Sequence, residues 1–200
     1  MQPSPNGGKP VKIYTIIGGV NGTGKSSLTG VLKAETADLG KIIDVDKLNF
    51  QYGNVIDGGK AAVNLINSCL NHGVSFTQET TLSGHKTAKT AKLAHESGYF
   101  VRLYYVGLSS VEESIRRIAN RVQKGGHNIP TPSVKRRFHS RFKDIAAVLP
   151  YCDVAMFYDN ENGFKEVAEY RNGELTAKGE PIPTWLAQLA EYLKANAEQF

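Results

Sequence analysis

Residues 12–26 read KIYTIIGGVNGTGKS, and this stretch decides the fold class. Residues 12–18 are mostly β-branched, aromatic or aliphatic, which predicts a buried strand. Residues 19–26 then match G-x-x-x-x-G-K-[ST] in full, and a helical pattern begins at residue 24. A chain of this length shows the motif by chance on the order of once in a hundred. Strand, glycine-rich turn and helix in this order predict a phosphate-binding loop.

The chemistry expected of the loop follows from its residue types. Glycines let successive backbone N–H groups point inward as an anion nest, and the following helix adds the positive end of its dipole. Lys25 is predicted to reach the β- and γ-phosphates of a nucleotide, and the Ser26 hydroxyl to ligate Mg²⁺. The alternative is a glycine-rich turn with a solvated lysine. The predicted nucleotide-binding residues of the loop are Gly19, Asn21, Gly22, Thr23, Gly24, Lys25, Ser26 and Ser27.

Strand-like and helix-like segments alternate along the chain, in the order β-α-β-α-β-α-β-α-α-β. This order predicts an α/β fold: a P-loop NTPase-type parallel sheet flanked by helices. The most apolar strand, 99–106, is expected at its centre, and Ser83 is expected to cap a helix. A hairpin around Asn172-Gly173 and a helix over 183–196 complete the prediction. The other predicted strands are 41–45, 74–78 and 153–158, the other helices 24–39, 60–71, 83–97, 111–123 and 133–149, and a polar loop covers 49–59.

Composition is that of a globular protein, with 40% apolar and 22% charged residues among 200. This length predicts one domain, placed over 12–200, and the polar residues rich in Pro and Gly before it predict a mobile tail over 1–11. The two cysteines have no metal-ligand spacing, the N-terminal residues have no signal-peptide pattern, and the apolar runs are only strand-sized. A cytoplasmic location without a membrane span is therefore expected.

Acids follow two predicted strands. Asp44 and Asp46 end the second, and Glu79 with Thr81 ends the third. The carboxyl ends of parallel strands form the ligand crevice, where a carboxylate near the γ-phosphate accepts the proton of an attacking hydroxyl. Helix capping is the alternative for the two aspartates and for the hydroxyl residues. Glu79 is expected to hold either a polar acceptor or an outer-shell water of Mg²⁺.

The positive charge is concentrated between Ser114 and Lys143, a segment with nine basic residues and no acid, within a chain of net charge +5. Arg117 and Arg121 share one helix face, and Arg137 and Arg141 repeat the spacing on the next helix. A flexible connection, GGHNIP, joins the two. The pattern predicts a lid over about 116–143 that closes on a nucleotide and delivers guanidinium groups to the phosphates. A solvated basic face is the alternative.

Together the phosphate loop, the IDVD strand end at 43–46 and the ETTL element at 79–82 resemble the zeta-toxin family of P-loop kinases. The resemblance implies a kinase that binds ATP and Mg²⁺. By similarity, Asp46 would be the general base, and Glu79 and Thr81 would contact the acceptor. Arg117 and Arg121 would approach the nucleotide, and Arg137 and Arg141 the transferring phosphate. The acceptor of the family is UDP-N-acetylglucosamine, phosphorylated on a sugar hydroxyl.

Two other classes of function stay open from sequence. One is a nucleic-acid-directed kinase or RNA-binding ATPase, whose basic segment would track phosphates. A nucleic-acid partner is not expected, because the segment holds few aromatic residues beyond Phe138 and Phe142. The other is a nucleotide-sensing or toxin-type protein with an antitoxin-like partner. The sequence also leaves open the choice between ATP and GTP.

Overall fold

The computed structural model describes residues 11–35, 38–126 and 128–197. Of the predicted tail only Val11 lies within these ranges. Residues 36–37 of the helix predicted over 24–39 lie outside them. The strands are β1 (Ile13–Gly18), β2 (Lys41–Asp44), β3 (Phe76–Thr80), β4 (Phe100–Gly107), β5 (Val154–Asp159), β6 (Lys165–Arg171) and β7 (Glu174–Ala177). The helices are α1 (Lys25–Glu35), α2 (Val45–Gln51), α3 (Val55–His72), α4 (Lys86–Glu96), α5 (Val111–Gln123), α6 (Thr131–Val148) and α7 (Thr184–Ala195), with a short 3-10 turn over Leu149–Tyr151.

All seven strands form one sheet in the order β2-β3-β1-β4-β5-β6-β7. The first five run parallel, and β6 and β7 add an antiparallel hairpin at one edge. β4 is the middle strand, as its apolar sequence predicts. The parallel strands end at one edge of the sheet, and there β1 leads into the predicted phosphate loop. This topology confirms the predicted α/β class.

The core packs against the sheet, and several of its largest side chains are aromatic. Tyr14 stacks on Phe76 from the neighbouring strand, with ring centroids 4.4 Å apart. Trp185 of α7 is buried against Tyr105 and Phe157. Its ring occupies the space where a Cβ on Gly107 would lie, so α7 packs directly on the end of β4. Among the described residues, no helix combines the length and the apolar character that crossing a membrane requires.

The stretch after β2 differs from prediction. The polar loop predicted over 49–59 is wrong, because α2 runs to Gln51 and α3 begins at Val55. The Asn54 side chain caps α3 by accepting from the Asp57 backbone N–H at 2.8 Å. Gly58 lies so close to the Asn49 backbone that a Cβ would collide with it. Gly58, one of the glycines that suggest a loop, is therefore required for close packing of α3 on α2.

A second difference concerns α4. Ser83 was expected to cap this helix, but α4 begins at Lys86 after His85, without a side-chain capping hydrogen bond. Between β3 and α4, Leu82 is fully buried with a φ of 62°. The chain therefore makes a tight turn under the sheet edge before the helix starts.

Candidate functional site

The loop between β1 and α1 has the conformation of a phosphate-binding loop. Gly19, Gly22 and Gly24 have positive φ angles, which L side chains rarely adopt. A Cβ on Gly19 would lie 2.6 Å from the Val106 carbonyl oxygen. Glycine is therefore required there both by backbone conformation and by the close approach of β4.

Three separate elements hold this loop in place. Ser114 of α5 donates a hydrogen bond to the Asn21 carbonyl oxygen. Arg137 of α6 donates to Asn21 Oδ1 at 2.9 Å. Asn160, which follows β5, donates to the Thr23 carbonyl oxygen at 2.8 Å. These three hydrogen bonds hold the backbone of the loop in its conformation.

Sequence reasoning missed Ser114 and Asn160. Ser114 gives no signal, since it reads as an ordinary helix residue. Asn160 could have been found, because it follows the carboxyl end of a predicted parallel strand, where ligand-site residues gather.

Lys25 lies at the floor of the loop. Its Nζ donates to the carbonyl oxygens of Gly19 and Val20, at 2.8 and 3.1 Å. Burial lowers the pKa of Lys25, and the carboxylates of Asp46, Glu79 and Asp44 oppose that shift, Asp46 most strongly. A buried ammonium that neighbouring acids only partly compensate is suited to binding phosphate.

Glu79 is buried at the end of β3, and its carboxylate faces the first turn of α1. It accepts hydrogen bonds from Ser26 Oγ at 2.8 Å and from Thr29 Oγ1 at 2.6 Å. Of the two roles predicted for Glu79, these contacts favour the metal side of the site. Thr29 was not predicted, although its position one turn after Lys25 is helical spacing.

Thr81, predicted to contact the acceptor, does not line the cavity that holds Glu79. It is half-buried, and its hydroxyl has no hydrogen-bond partner among the residues that the structure describes. The neighbouring Thr80 hydroxyl instead accepts from the Leu82 backbone N–H at 3.1 Å. The geometry gives Thr81 no contact with the site.

Asp44 and Asp46 both line the cavity but have different structural roles. β2 ends at Asp44, which caps α2 by accepting from the Lys47 backbone N–H at 3.0 Å. Capping, the alternative for Asp44, is therefore confirmed. Asp46 belongs to the first turn of α2, so placing it on the strand was wrong. It is nevertheless exposed toward the cavity that Lys25 and Glu79 line.

The lid arginines divide into two groups. Arg117 and Arg121 line the cavity from α5, and Arg117 also donates to the Asn160 carbonyl oxygen at 2.6 Å. Glu113 accepts hydrogen bonds from Arg117 and Arg116, which lowers the pKa of its carboxyl group. Arg137 reaches the phosphate loop through Asn21.

Arg141 does not reach the site, and its predicted approach to the transferring phosphate is wrong in this structure. Its guanidinium lies 3.9 and 4.1 Å from the ring centroids of Phe138 and Phe142. One amino group donates to the Phe138 carbonyl oxygen, and another contacts Gln188 of α7. The side chain therefore joins α6 to α7, away from the cavity.

These elements enclose a cavity of about 530 Å³, a size typical of small-molecule sites. The phosphate loop and Lys25 form one side, α2 with Asp46 a second, and α5 with Arg117 and Arg121 a third. Gly125 and Gly126 of the connection after α5 complete the wall. The cavity is lined by the amine of Lys25, the hydroxyl of Ser26 and the carboxylates of Glu79 and Asp46. This set of groups suits a nucleotide beside a hydroxyl-bearing acceptor.

Comparisons with known proteins identify a family and similar folds. The model of the family described as Zeta toxin matches residues 56–163, from α3 to the β5–β6 connection. The match covers Glu79 and the lid helices, while the phosphate loop and Asp46 lie before it. A protein of Haemophilus influenzae described as uncharacterized is 34% identical over 126 residues, which are 60% of this chain and 88% of that protein.

Two solved structures share the fold. A structure from the PezAT chromosomal toxin–antitoxin system of Streptococcus pneumoniae has a TM-score of 0.60 and 17% identity, over 96% of this chain and 88% of that one. A chain of the AvrRxo1-ORF1:-ORF2 complex with ATP has a TM-score of 0.64 and 18% identity, over 91% of this chain. The match spans 63% of that second chain.

Proposed function

We propose, because this chain belongs to the Zeta toxin family, that it transfers the γ-phosphoryl group of ATP to a hydroxyl of a small polar acceptor. The family match and the shared fold support an ATP-dependent phosphotransferase. One observation carries the proposal: Lys25 of the phosphate loop and Asp46 of α2 line a single cavity. Phosphoryl transfer needs a group that orients the attacking hydroxyl and a cation that neutralises the phosphoryl charge within reach of the same phosphorus.

The chain's own residues account for each part of the transfer. Asp46 accepts the proton of the acceptor hydroxyl while the oxygen of that hydroxyl forms a bond to the γ-phosphorus. The bond between that phosphorus and the β,γ-bridging oxygen breaks, and ADP leaves. Lys25, Arg121 and Arg137 stabilise the charge on the phosphoryl oxygens, and Arg117 orients the nucleotide.

The donor set fits Mg²⁺, which prefers oxygen ligands and keeps several waters. Ser26 Oγ would be a direct ligand, and the Glu79 carboxylate, 2.8 Å from it, would hold a coordinated water. When bound, the ion neutralises charge on the β- and γ-phosphates. Thr29 keeps Glu79 in place through its 2.6 Å hydrogen bond.

The acceptor subsite lies along α2, where Lys47, Phe50 and Gln51 line the cavity beside Asp46. An aromatic ring next to a cation and an amide suits an acceptor with a planar or apolar part and several polar groups. UDP-N-acetylglucosamine, the acceptor that the family resemblance implies, has these features and is the first to test.

The test incubates the protein with γ-labelled ATP and UDP-N-acetylglucosamine, and in parallel with a metabolite extract, followed by identification of labelled products. We expect label on a hydroxyl of one acceptor, and none with the Asp46→Asn variant. ATP turnover that yields only labelled inorganic phosphate in both reactions would contradict the proposal. Label in the extract alone would retain the transferase and replace the acceptor.

A second candidate is control of the site by an antitoxin-like protein partner. Val55 and Ile56, at the start of α3, are 72% and 70% exposed, and they follow shortly after Phe50 and Gln51, which line the cavity at the end of α2. Exposed apolar groups beside an active site are typical of protein contacts. A protein that binds the wild type, inhibits its ATP turnover and fails to bind Ile56→Asp would support this candidate. Equal binding to both would contradict it.

A further inference from the structure

The proposed transfer leaves several cations of the lid segment without a role. Arg117, Arg121 and Arg137 contact the cavity or its loop, Arg141 joins α7, and Arg116 pairs with Glu113. On the outer face of α6, Lys135, Arg136 and Lys143 remain, together with His139. Lys135, His139 and Lys143 are four residues apart, so they form one stripe with a cation or an imidazole about every 6 Å.

α4 extends this face. It packs beside α6, and the Gly84 backbone N–H just before it donates to Asp144 Oδ1 at 3.4 Å. Lys86 and Lys89 are exposed on α4. We call the surface formed by Lys86, Lys89, Lys135, Arg136 and Lys143 the α4–α6 basic face.

The α4–α6 basic face is not neutralised within the described parts of the chain. None of its five cations forms an ion pair there. The nine ion pairs of the described residues involve other side chains. The acids of the two helices are Asp144 and Glu96. Asp144 accepts from Ser140 and Gly84, and Glu96 pairs with Lys92 at the far end of α4. The positive charge therefore remains available to an external anion.

The chemistry of the face favours nucleic acid over other anionic partners. A protein interface has an apolar centre depleted of charge, and a membrane-surface helix carries large apolar residues. Among the described residues of α4 and α6, Leu93 is the one exposed large apolar side chain. The cations of α6 run from Lys135 to Lys143, about 12 Å along the helix, and such a row matches a chain of phosphates, which needs charge and no apolar centre.

We propose that the α4–α6 basic face binds the phosphate backbone of nucleic acid without reading its sequence. Backbone contacts position a nucleic acid and carry no base information, which agrees with a face that lacks aromatic side chains for stacking. The few aromatic residues of the segment thus argue against base recognition, not against phosphate binding. None of the five cations lines the proposed transfer cavity, so the inference stands apart from the proposed function.

The experiment measures fluorescence anisotropy of labelled 20-nucleotide RNA, single-stranded DNA and duplex DNA of mixed sequence, at several salt concentrations. The test variant is Lys89→Glu/Lys135→Glu/Lys143→Glu. The control is Lys33→Glu/Lys41→Glu/Lys194→Glu, which makes the same charge change at exposed lysines elsewhere. We expect at least a tenfold greater loss of affinity in the test variant. Its salt slope for single strands should fall by about 2, since each lost phosphate contact removes about 0.7.

Several outcomes would overturn the proposal. Equal losses in the two variants would show that only net charge matters. Equal affinity of the wild type for polyglutamate would point to an acidic protein, and displacement of RNA by ATP would place RNA in the nucleotide site. ATP affinity, measured in both variants, reports whether they fold. The milder Lys135→Gln/Lys143→Gln pair repeats the test should the triple variant not fold, with a slope change of about 1.4 expected.

Discussion

At the residue scale, the site places a buried charge where the fold itself gains little from it. Lys25 is held by two carbonyl oxygens of its own loop, at 2.8 and 3.1 Å. Burial disfavours the ammonium, and the nearby carboxylates recover only part of that cost. Residues of this kind reduce stability in order to bind a ligand.

Replacing Lys25 should therefore have opposite effects on stability and binding. Lys25→Met removes the buried charge and keeps most of the side-chain volume. We expect the empty protein to gain about 1 kcal/mol, equivalent to roughly 2–4 °C in Tm for this size, while ATP binding is lost. Thermal denaturation and calorimetric titration with ATP measure the two effects. Unchanged ATP affinity would contradict the phosphate-loop assignment.

The same lysine predicts a pH dependence. Its folded pKa is below the unfolded value of 10.5, so the unfolded chain binds more protons in the interval between the two. Stability of the wild type should therefore rise with pH through that interval. The advantage of Lys25→Met should be full below the folded pKa and shrink as the pH rises toward 10.5. Urea titrations at neutral and alkaline pH compare the two proteins.

Asp46 and Asp44 allow a matched test of the base assignment. Asp46→Asn should bind ATP normally and lose transfer by a factor of about 10² to 10⁴, the usual contribution of a general base. Asp44→Asn should keep transfer, because asparagine also caps helices well and the α2 start is preserved. Single-turnover rates with saturating ATP separate chemistry from binding. A larger loss in Asp44→Asn would move the base to that residue.

At the scale of elements, α6 shows why equal spacing does not give equal roles. Arg137 and Arg141 are one turn apart on the same helix, and the sequence predicts that both face the phosphate. The extra turn moves Arg141 about 6 Å farther along the helix. There α7 covers it, and Phe138 and Phe142 contact its guanidinium. The docking of α7 and the two phenylalanines of α6 thus separate the roles of the two arginines, and helix periodicity alone does not predict these contacts.

The two arginines should therefore respond differently to alanine. Arg137→Ala should lose transfer by roughly 10³ to 10⁵, as for an arginine that contacts the phosphoryl group, and should weaken ATP binding far less, through the lost hydrogen bond to Asn21. Arg141→Ala should keep transfer and lower Tm by a few degrees, because it loses two cation–π contacts of about 0.5–1 kcal/mol or more each. Activity at a temperature where both are folded, together with Tm, distinguishes them. Lost transfer with unchanged Tm in Arg141→Ala would restore its predicted catalytic role.

The elements that could be predicted are those whose signals are local. β1 with its loop, β4 and the hairpin at Asn172-Gly173 follow from motif, hydropathy and turn chemistry, and the structure confirms them. The first turn of α3 could not be predicted, since a tertiary contact requires the glycine that suggests a loop: Gly58 of α3 lies against Asn49 of α2. In the site, the loop residues and Glu79 come from sequence, and Asn160 and Thr29 had local signals that were not used, whereas Ser114 depends on packing between distant segments.

At the scale of the whole molecule, the C-terminal helix is connected to the phosphate loop. Trp185 Nε1 donates to Asp159 Oδ1 at 2.8 Å, and the other oxygen of Asp159 accepts from the Glu161 backbone N–H. Asn160, between them, donates to the Thr23 carbonyl oxygen. The position of α7 on the sheet thus supports the turn that anchors the loop, although the two are far apart in sequence.

This connection predicts that a distant substitution changes ATP affinity. Trp185→Phe keeps an aromatic ring against Gly107 and removes the hydrogen bond to Asp159. We expect about 1–3 kcal/mol lower stability and roughly fivefold weaker ATP binding, at the lower end of typical couplings between sites.

Leu189→Ala is the control for this prediction. Leu189 lies buried on the same helix without a hydrogen bond to the turn, so the substitution should lower stability by about 2–5 kcal/mol without weakening ATP binding. Titrations well below both melting temperatures make the comparison. If ATP affinity fell in proportion to stability in both variants, α7 would act only through global folding, and the path through Asp159 and Asn160 would carry no specific effect.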